Sequence, residues 1–164
     1  MKRLFILILA LLTALMMASC KKAEEPVEPE ADADSGYRRT TLYYATEDGF
    51  IVPVMKSIPW EEGIGRAALS YLVSGIDNDK SAAMMGLKTV IPEGTECTLR
   101  IGEGGSARVD LTDIGRQTKE QEQAMVGAIV NTLTEFPSIS NVSITIDGKE
   151  KKTLSNGTDI SKPM

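Results

Sequence analysis

Thr95-Glu96-Cys97-Thr98-Leu99-Arg100-Ile101, then Gly102-Glu103-Gly104-Gly105, then Ala107-Arg108-Val109-Asp110-Leu111 is the stretch on which the fold class turns. Cys97, Leu99 and Ile101 recur at every second position, and so do Ala107, Val109 and Leu111. Successive side chains of a strand point to opposite faces, so each segment reads as a strand with one apolar face. The glycine-rich connection joins them as a hairpin. One apolar face per strand means a sheet covered on one side only.

Downstream, Met125, Ile129, Leu133 and Phe136 fall on one stripe of a helix spanning Thr118 to Phe136, with Glu120 and Glu122 in its early turns and Pro137 stopping it. Val142, Ile144 and Ile146 alternate as a last strand ending at Asp147-Gly148. Upstream, Pro92-Glu93-Gly94 is a tight turn, and Ile76 to Met85 reads as a loop with one helical turn. Ser57-Ile58-Pro59-Trp60-Glu61-Glu62 reads as a helix start, because proline suits the first turn and acids suit the positive end of the dipole. That helix is expected to run to Ser74 and stop at Gly75, with Ile64, Ala68, Tyr71 and Leu72 on its apolar face. Thr40–Thr46 and Phe50–Met55 form a leading hairpin across Asp48-Gly49; Pro53 cannot donate to a ladder, which makes the second strand an edge. The order ββ-αββαβ predicts a small α+β two-layer sandwich, a mixed sheet with two helices on one face.

The N-terminus reads as an address. Lys2 and Arg3 precede a fourteen-residue run, Leu4–Met17, interrupted only by Thr13. A helix needs roughly 20 residues to cross the hydrocarbon core, so this run has the length of a signal-peptide apolar region. Leu15-Met16-Met17-Ala18-Ser19-Cys20 resembles a bacterial lipobox, which predicts a signal peptide over residues 1–19 and acylation of Cys20. Residues 20–36 then read as the lipidated cysteine and a disordered acidic tether, since six acids and two prolines cannot support a core. The folded domain is expected over 37–148, with a C-terminal tail of uncertain order over 149–164. The predicted location is the outer face of the cell membrane, held through Cys20.

Composition narrows the function. The chain has 164 residues, 18 basic and 23 acidic, and no histidine. Without imidazole, the Ser-His-Asp and Cys-His arrangements are excluded, and two cysteines cannot close a zinc site. Acid excess argues against nucleic acid as a partner. Without residues 1–36 the domain keeps 17 acidic and 14 basic residues, so the low pI mostly describes the tether. With Cys20 acylated, Cys97 has no partner and reads as a small core residue.

The remaining motifs are bland. Asp110 and Asp113, with Glu103 in a nearby turn, are the candidate paired acids, and they read as solvated surface and turn positions. Gly102-Glu103-Gly104-Gly105 lacks the spacing of a phosphate loop. Asp77-Asn78-Asp79 lacks the glycine and terminal glutamate of a calcium loop. Asn141-Val142-Ser143 and Asn156-Gly157-Thr158 are accidental sequons behind a bacterial lipobox. Trp60 and Tyr71 read as core. No catalytic residue, metal ligand or cofactor is expected.

Several segments carry a resemblance, in order, over residues 40–148. Leu42-Tyr43-Tyr44, Arg66-Ala67-Ala68-Leu69 with Tyr71-Leu72-Val73-Ser74-Gly75, Thr89-Val90-Ile91-Pro92-Glu93-Gly94-Thr95, Ala107–Leu111, Ile129–Pro137 and Val142–Gly148 are similar to motifs of the GerMN domain of sporulation and spore germination. The resemblance implies a domain related to ring-building motifs, in envelope lipoproteins that act by protein–protein assembly and not catalysis. It marks Arg66, Leu69, Gly75, Pro92, Gly94, Thr132, Leu133, Phe136, Pro137 and Gly148 as motif positions, read as turn and core requirements of the fold. The archetype carries two such domains in tandem and this sequence one, which widens the expected role to general envelope function. The expected partners are an envelope protein or a second copy. The alternative is a small-molecule or glycan-binding lipoprotein, which needs a pocket lined by aromatics such as Trp60, Tyr43 or Tyr71.

Overall fold

The computed structural model describes residues 36–60 and 63–164. The predicted signal peptide, Cys20, the tether up to Ser35, and Glu61-Glu62 lie outside the described residues. What is described is an α+β fold: β1 (Tyr37–Ala45), β2 (Ile51–Pro59), α1 (Ile64–Ser70), α2 (Ile76–Ala83), β3 (Glu96–Ile101), β4 (Ser106–Thr112), α3 (Lys119–Thr134), β5 (Asn141–Ile146) and β6 (Lys149–Glu150).

The central hairpin forms as its alternation requires. β3 and β4 pair antiparallel from Glu96↔Thr112 to Ile101↔Ala107. β4 and β5 pair parallel, from Ser106↔Asn141 to Leu111↔Ile146. Parallel neighbours need a crossover, and α3 supplies it. With β6 the sheet is four-stranded and mixed, in the order β3-β4-β5-β6. Its inner face carries Ala107, Val109, Leu111, Val142, Ile144 and Ile146, all buried. α3 lies against β5 and β1, and α1 lies against β3 and α3. The buried positions of α3 include the expected Met125, Ile129 and Leu133, but also Glu122, Ala124, Val126, Ala128 and Thr132. At 100° per residue they cover more than half the circumference, because structure packs on the helix from two directions.

The leading hairpin is a two-stranded sheet of its own and does not join the mixed sheet. Its outer edge on the β1 side meets α3: the Tyr43 N–H donates to the Thr132 hydroxyl at 3.0 Å. Tyr43 therefore does not bond across to Pro53, its opposite residue. Pro53 sits in a non-hydrogen-bonded pair, where its missing N–H would point away from the ladder.

Several expectations are corrected. Ser57–Pro59 is strand, not helix start, because pairing continues to Tyr37↔Pro59 and Ile58 is fully buried on it. The ladder even extends to Trp60, whose N–H donates to the Gly36 carbonyl at 2.7 Å. α1 ends at Ser70 and not Ser74, because Leu72–Ser74 turn extended and bond Val90 and Ile91. The Ile76–Met85 loop holds a two-turn helix, α2, instead of one turn. Asp79 fixes its start by accepting the Gly75 N–H at 3.1 Å, while Asn78 donates to the Ser70 and Val73 carbonyls. Ile101 shares the inward parity of Leu99 but is exposed, since it lies at the strand end beyond the cover of the core.

The segment after Gly148 packs back onto the fold. Leu154 and Ile160 are buried. The Glu122 carboxylate, itself 1% exposed, accepts the Asn156 N–H at 2.9 Å and the Thr158 N–H at 3.5 Å. Val142 and Met164 exchange two backbone bonds of 2.8 and 2.9 Å beyond β6, so the tail closes the β5 edge.

Candidate functional site: an open sheet edge and a groove

Of the acids singled out in the sequence, Asp110 is engaged through its carboxylate, while Asp113 and Glu103 stand in turns. Asp110 accepts from the Thr145 hydroxyl and, at 2.9 Å, from the Gly148 N–H. Asp113 holds a turn at φ 56, and its carbonyl accepts from Thr95 Oγ1 at 3.3 Å. Glu103 opens an exposed 3-10 turn. Among the described residues no group of His, Cys, Asp and Glu is arranged to hold a metal ion. Asn141 and Asn156, the sequon asparagines, accept from Ser106 and donate to the Gln117 carbonyl respectively.

Two features of the surface remain. The first is a groove of about 400 Å³ between the Thr46–Gly49 turn, the Lys88–Pro92 segment and the start of α3. Its floor includes Ala45, Val90, Ile91 and Ala124, and its rim carries the exposed Lys88–Glu47 ion pair at 3.3 Å. Inside it the Ser74 and Thr89 hydroxyls lie 2.7 Å apart, and Thr89 donates on to Asp79. At the α3 end of the groove the helix start is capped by its own side chains: the Thr118 hydroxyl accepts the Gln121 N–H, and the Gln121 side chain accepts the Thr118 N–H. The Glu120 carboxyl beside it is held below the usual carboxylate range by its backbone N–H and by the Thr118 hydroxyl. A smaller hollow of about 170 Å³ lies on the outer face of the mixed sheet, lined by Thr98, Arg100, Arg108, Asp110, Thr145 and Gly148. Neither hollow is lined by Trp60, Tyr43 or Tyr71.

The second feature is the free edge of β3. Gly102 donates to the Ser106 carbonyl at 2.9 Å, so the hydrogen-bonded parity toward β4 is the even one: Glu96, Thr98 and Arg100. Cys97, Leu99 and Ile101 then turn their N–H and C=O groups outward. No hydrogen bond among the described residues engages them. Ile101 is 52% exposed at the end of this row. Trp60, expected in the core, is 59% exposed, with the Arg38 guanidinium 5.4 Å from its ring centre and 5.9 Å from that of Phe136.

A family described as "Sporulation and spore germination" matches residues 41–152. The chain belongs to this GerMN family. It is 32% identical over 147 residues to the spore germination protein GerM of Bacillus subtilis (strain 168), a match covering 87% of this chain and 40% of that protein. It is similar to the solved first GerMN domain of the sporulation protein GerM from Bacillus subtilis, at 31% identity and a TM-score of 0.70, over 77% of this chain and 96% of that one. The solved tandem GerMN domains of the same protein match at 30% identity and a TM-score of 0.70, over 78% of this chain and 46% of that one.

The GerMN motif positions have structural work in this fold. Leu69, Thr132, Leu133 and Phe136 are buried. Pro92-Glu93-Gly94-Thr95 closes with the Thr95 N–H on the Pro92 carbonyl at 3.2 Å, and Gly94 takes φ 82 as the third residue of such a turn requires. Gly148 donates to Asp110 from φ 71, Gly75 starts α2, and Pro137 follows α3 on the exposed side. Arg66 differs from these, an exposed side chain on α1 outside the ion pairs of the described residues. The open β3 edge was missed by sequence reasoning. The sequence carried half of its signal, a clean alternating strand with no proline, and the sheet order supplies the other half by placing β3 at the end.

Proposed function

We propose that this GerMN protein is a membrane-anchored lipoprotein whose domain acts in sporulation, spore germination or wider envelope function by binding proteins, without catalysis. The observation that carries the reading is the open β3 edge, a row of unpaired backbone groups suited to adding a strand from a partner. The lipobox at Cys20 supports anchoring at the outer face of the cell membrane, and the engagement of the Asp110 carboxylate by Thr145 and Gly148 supports a non-catalytic role. Among the described residues no helix is long and apolar enough to cross a membrane.

The test uses the full chain in a bacterial host fed a labelled fatty acid. The wild-type protein takes up label and fractionates with membranes, while Cys20→Ala loses the label and is secreted or accumulates as precursor. Unchanged labelling of Cys20→Ala would sink the anchor. The alternative, a small-molecule or glycan-binding lipoprotein, would use the groove instead; a saturable ligand lost on Thr89→Ala, with no protein partner crosslinked in cells, would favour it.

A further inference from the structure

β3 carries a charge pattern that is complementary to itself. On the outer face of the mixed sheet, Glu96, Thr98 and Arg100 stand at alternate positions, all exposed. Within the chain Arg100 lies opposite Arg108. Like charges directly opposite across a ladder are unfavourable. Arg108 is compensated by Glu150, whose carboxylate is 3.4 Å away. Arg100 has no ion-pair partner among the described residues, and neither has Glu96.

The other sheet edges are managed. β2 is interrupted by Pro53, which has no N–H to offer a partner strand, β6 is two residues long, and Met164 covers the start of β5. β3 has no proline and no lysine, and it pairs with β4 residue for residue without a bulge.

We propose that β3 pairs antiparallel with β3 of a second copy of this chain across a two-fold axis at Thr98, placing each Glu96 opposite Arg100 of the other copy. In this register Cys97 faces Leu99 of the second copy in a hydrogen-bonded pair, and the reciprocal pair repeats it, each exchanging two N–H···O=C bonds. Both pairs use the outward parity that β4 leaves free. The two neighbouring registers of the same parity, with the axis at Cys97 or at Leu99, put Thr98 opposite Glu96 or Arg100, so neither sets the opposite charges against each other. The interface is isologous, as closed dimers require, and would join the two mixed sheets into one. This inference deepens the protein-binding reading by naming the partner.

The register makes a covalent test available. Thr98 would lie opposite itself in a non-hydrogen-bonded pair, with Cα atoms about 4.5 Å apart, within the range a disulfide spans. Full chains carrying Cys97→Ser and either Thr98→Cys or, as control, Ser143→Cys are exposed to mild oxidant in cells and separated without reductant. The expected result is a dimer band for Thr98→Cys and none for Ser143→Cys. Adding Glu96→Lys or Arg100→Glu alone should abolish the band, and both together should restore it. No dimer at position 98, or a dimer indifferent to these reversals, overturns the proposal. If the band is absent while a different envelope protein crosslinks to the domain, the protein-binding reading stands and the self-pairing falls.

Discussion

Cys97 is half-buried behind β3, and burial pushes its thiol up to about 11 from 9.0. A half-buried thiol held protonated has a smaller thiolate fraction near neutrality, so native alkylation should run at least about tenfold slower than that of the unfolded chain. Time-resolved labelling with and without denaturant checks this; fast native labelling would overturn the placement. Tyr44, fully enclosed in the core, is likewise pushed by burial to about 12 from 10.0. Both groups hold their protons more tightly when folded. The folded state therefore binds more protons between pH 9 and 12, and stability falls as pH rises through that window. Denaturant midpoints should be level below pH 9 and decline above it, and Tyr44→Phe should soften the upper part of the decline. Single residues were legible in sequence where parity decided burial, as at Val109 and Ile144. They were not where position along the element decided it: Ile101 has core parity but sits past the core's edge. Trp60 ends a ladder instead of starting a helix, with its ring against Arg38.

Element identity was most legible where a pattern was long. α3 shows its stripe, its acids and its stop over sixteen residues, and it forms there. Its Thr118 cap is a separable contribution. Thr118→Ala should cost about 1 kcal/mol and lower the melting temperature by about 4 °C. Thermal unfolding followed by circular dichroism reads this directly; an unchanged midpoint would mean the capping box contributes nothing. α2 escaped sequence reading because its exposed Ile76 and polar Asp77-Asn78-Asp79 carry no apolar stripe; two side chains bonded to the backbone hold it instead. The α1 boundaries were misplaced for a related reason. Pro59 suits a helix start and a strand end equally, and pairing with β1 decides between them.

At the scale of the molecule, the fold was readable as α+β, but its closure was not. Glu122 reads as an ordinary first-turn acid in sequence, yet it is buried and grips the backbone of Asn156 and Thr158 from 34 and 36 residues away. Only the folded chain brings them together. Ending the chain at Gly148 would remove the buried Leu154 and Ile160 side chains, uncover the core beneath them and take away the backbone N–H donors of Glu122. Losing two buried aliphatic side chains costs about 2–5 kcal/mol each. Such a truncation should lose cooperative unfolding or fall in midpoint by tens of degrees, whereas a native-like midpoint would show the tail to be dispensable. The open β3 edge is likewise a property of the whole, visible once every other edge is seen to be paired, short or blocked. We propose that this edge, on a lipid-anchored domain, works by meeting other proteins. In-cell photocrosslinking from a photoreactive residue at Ile101 of the full chain reads this out. The predicted result is a discrete protein adduct in the membrane fraction, absent when the same residue replaces Lys88 at the groove. Crosslinks from the groove position alone, or from neither, would contradict it.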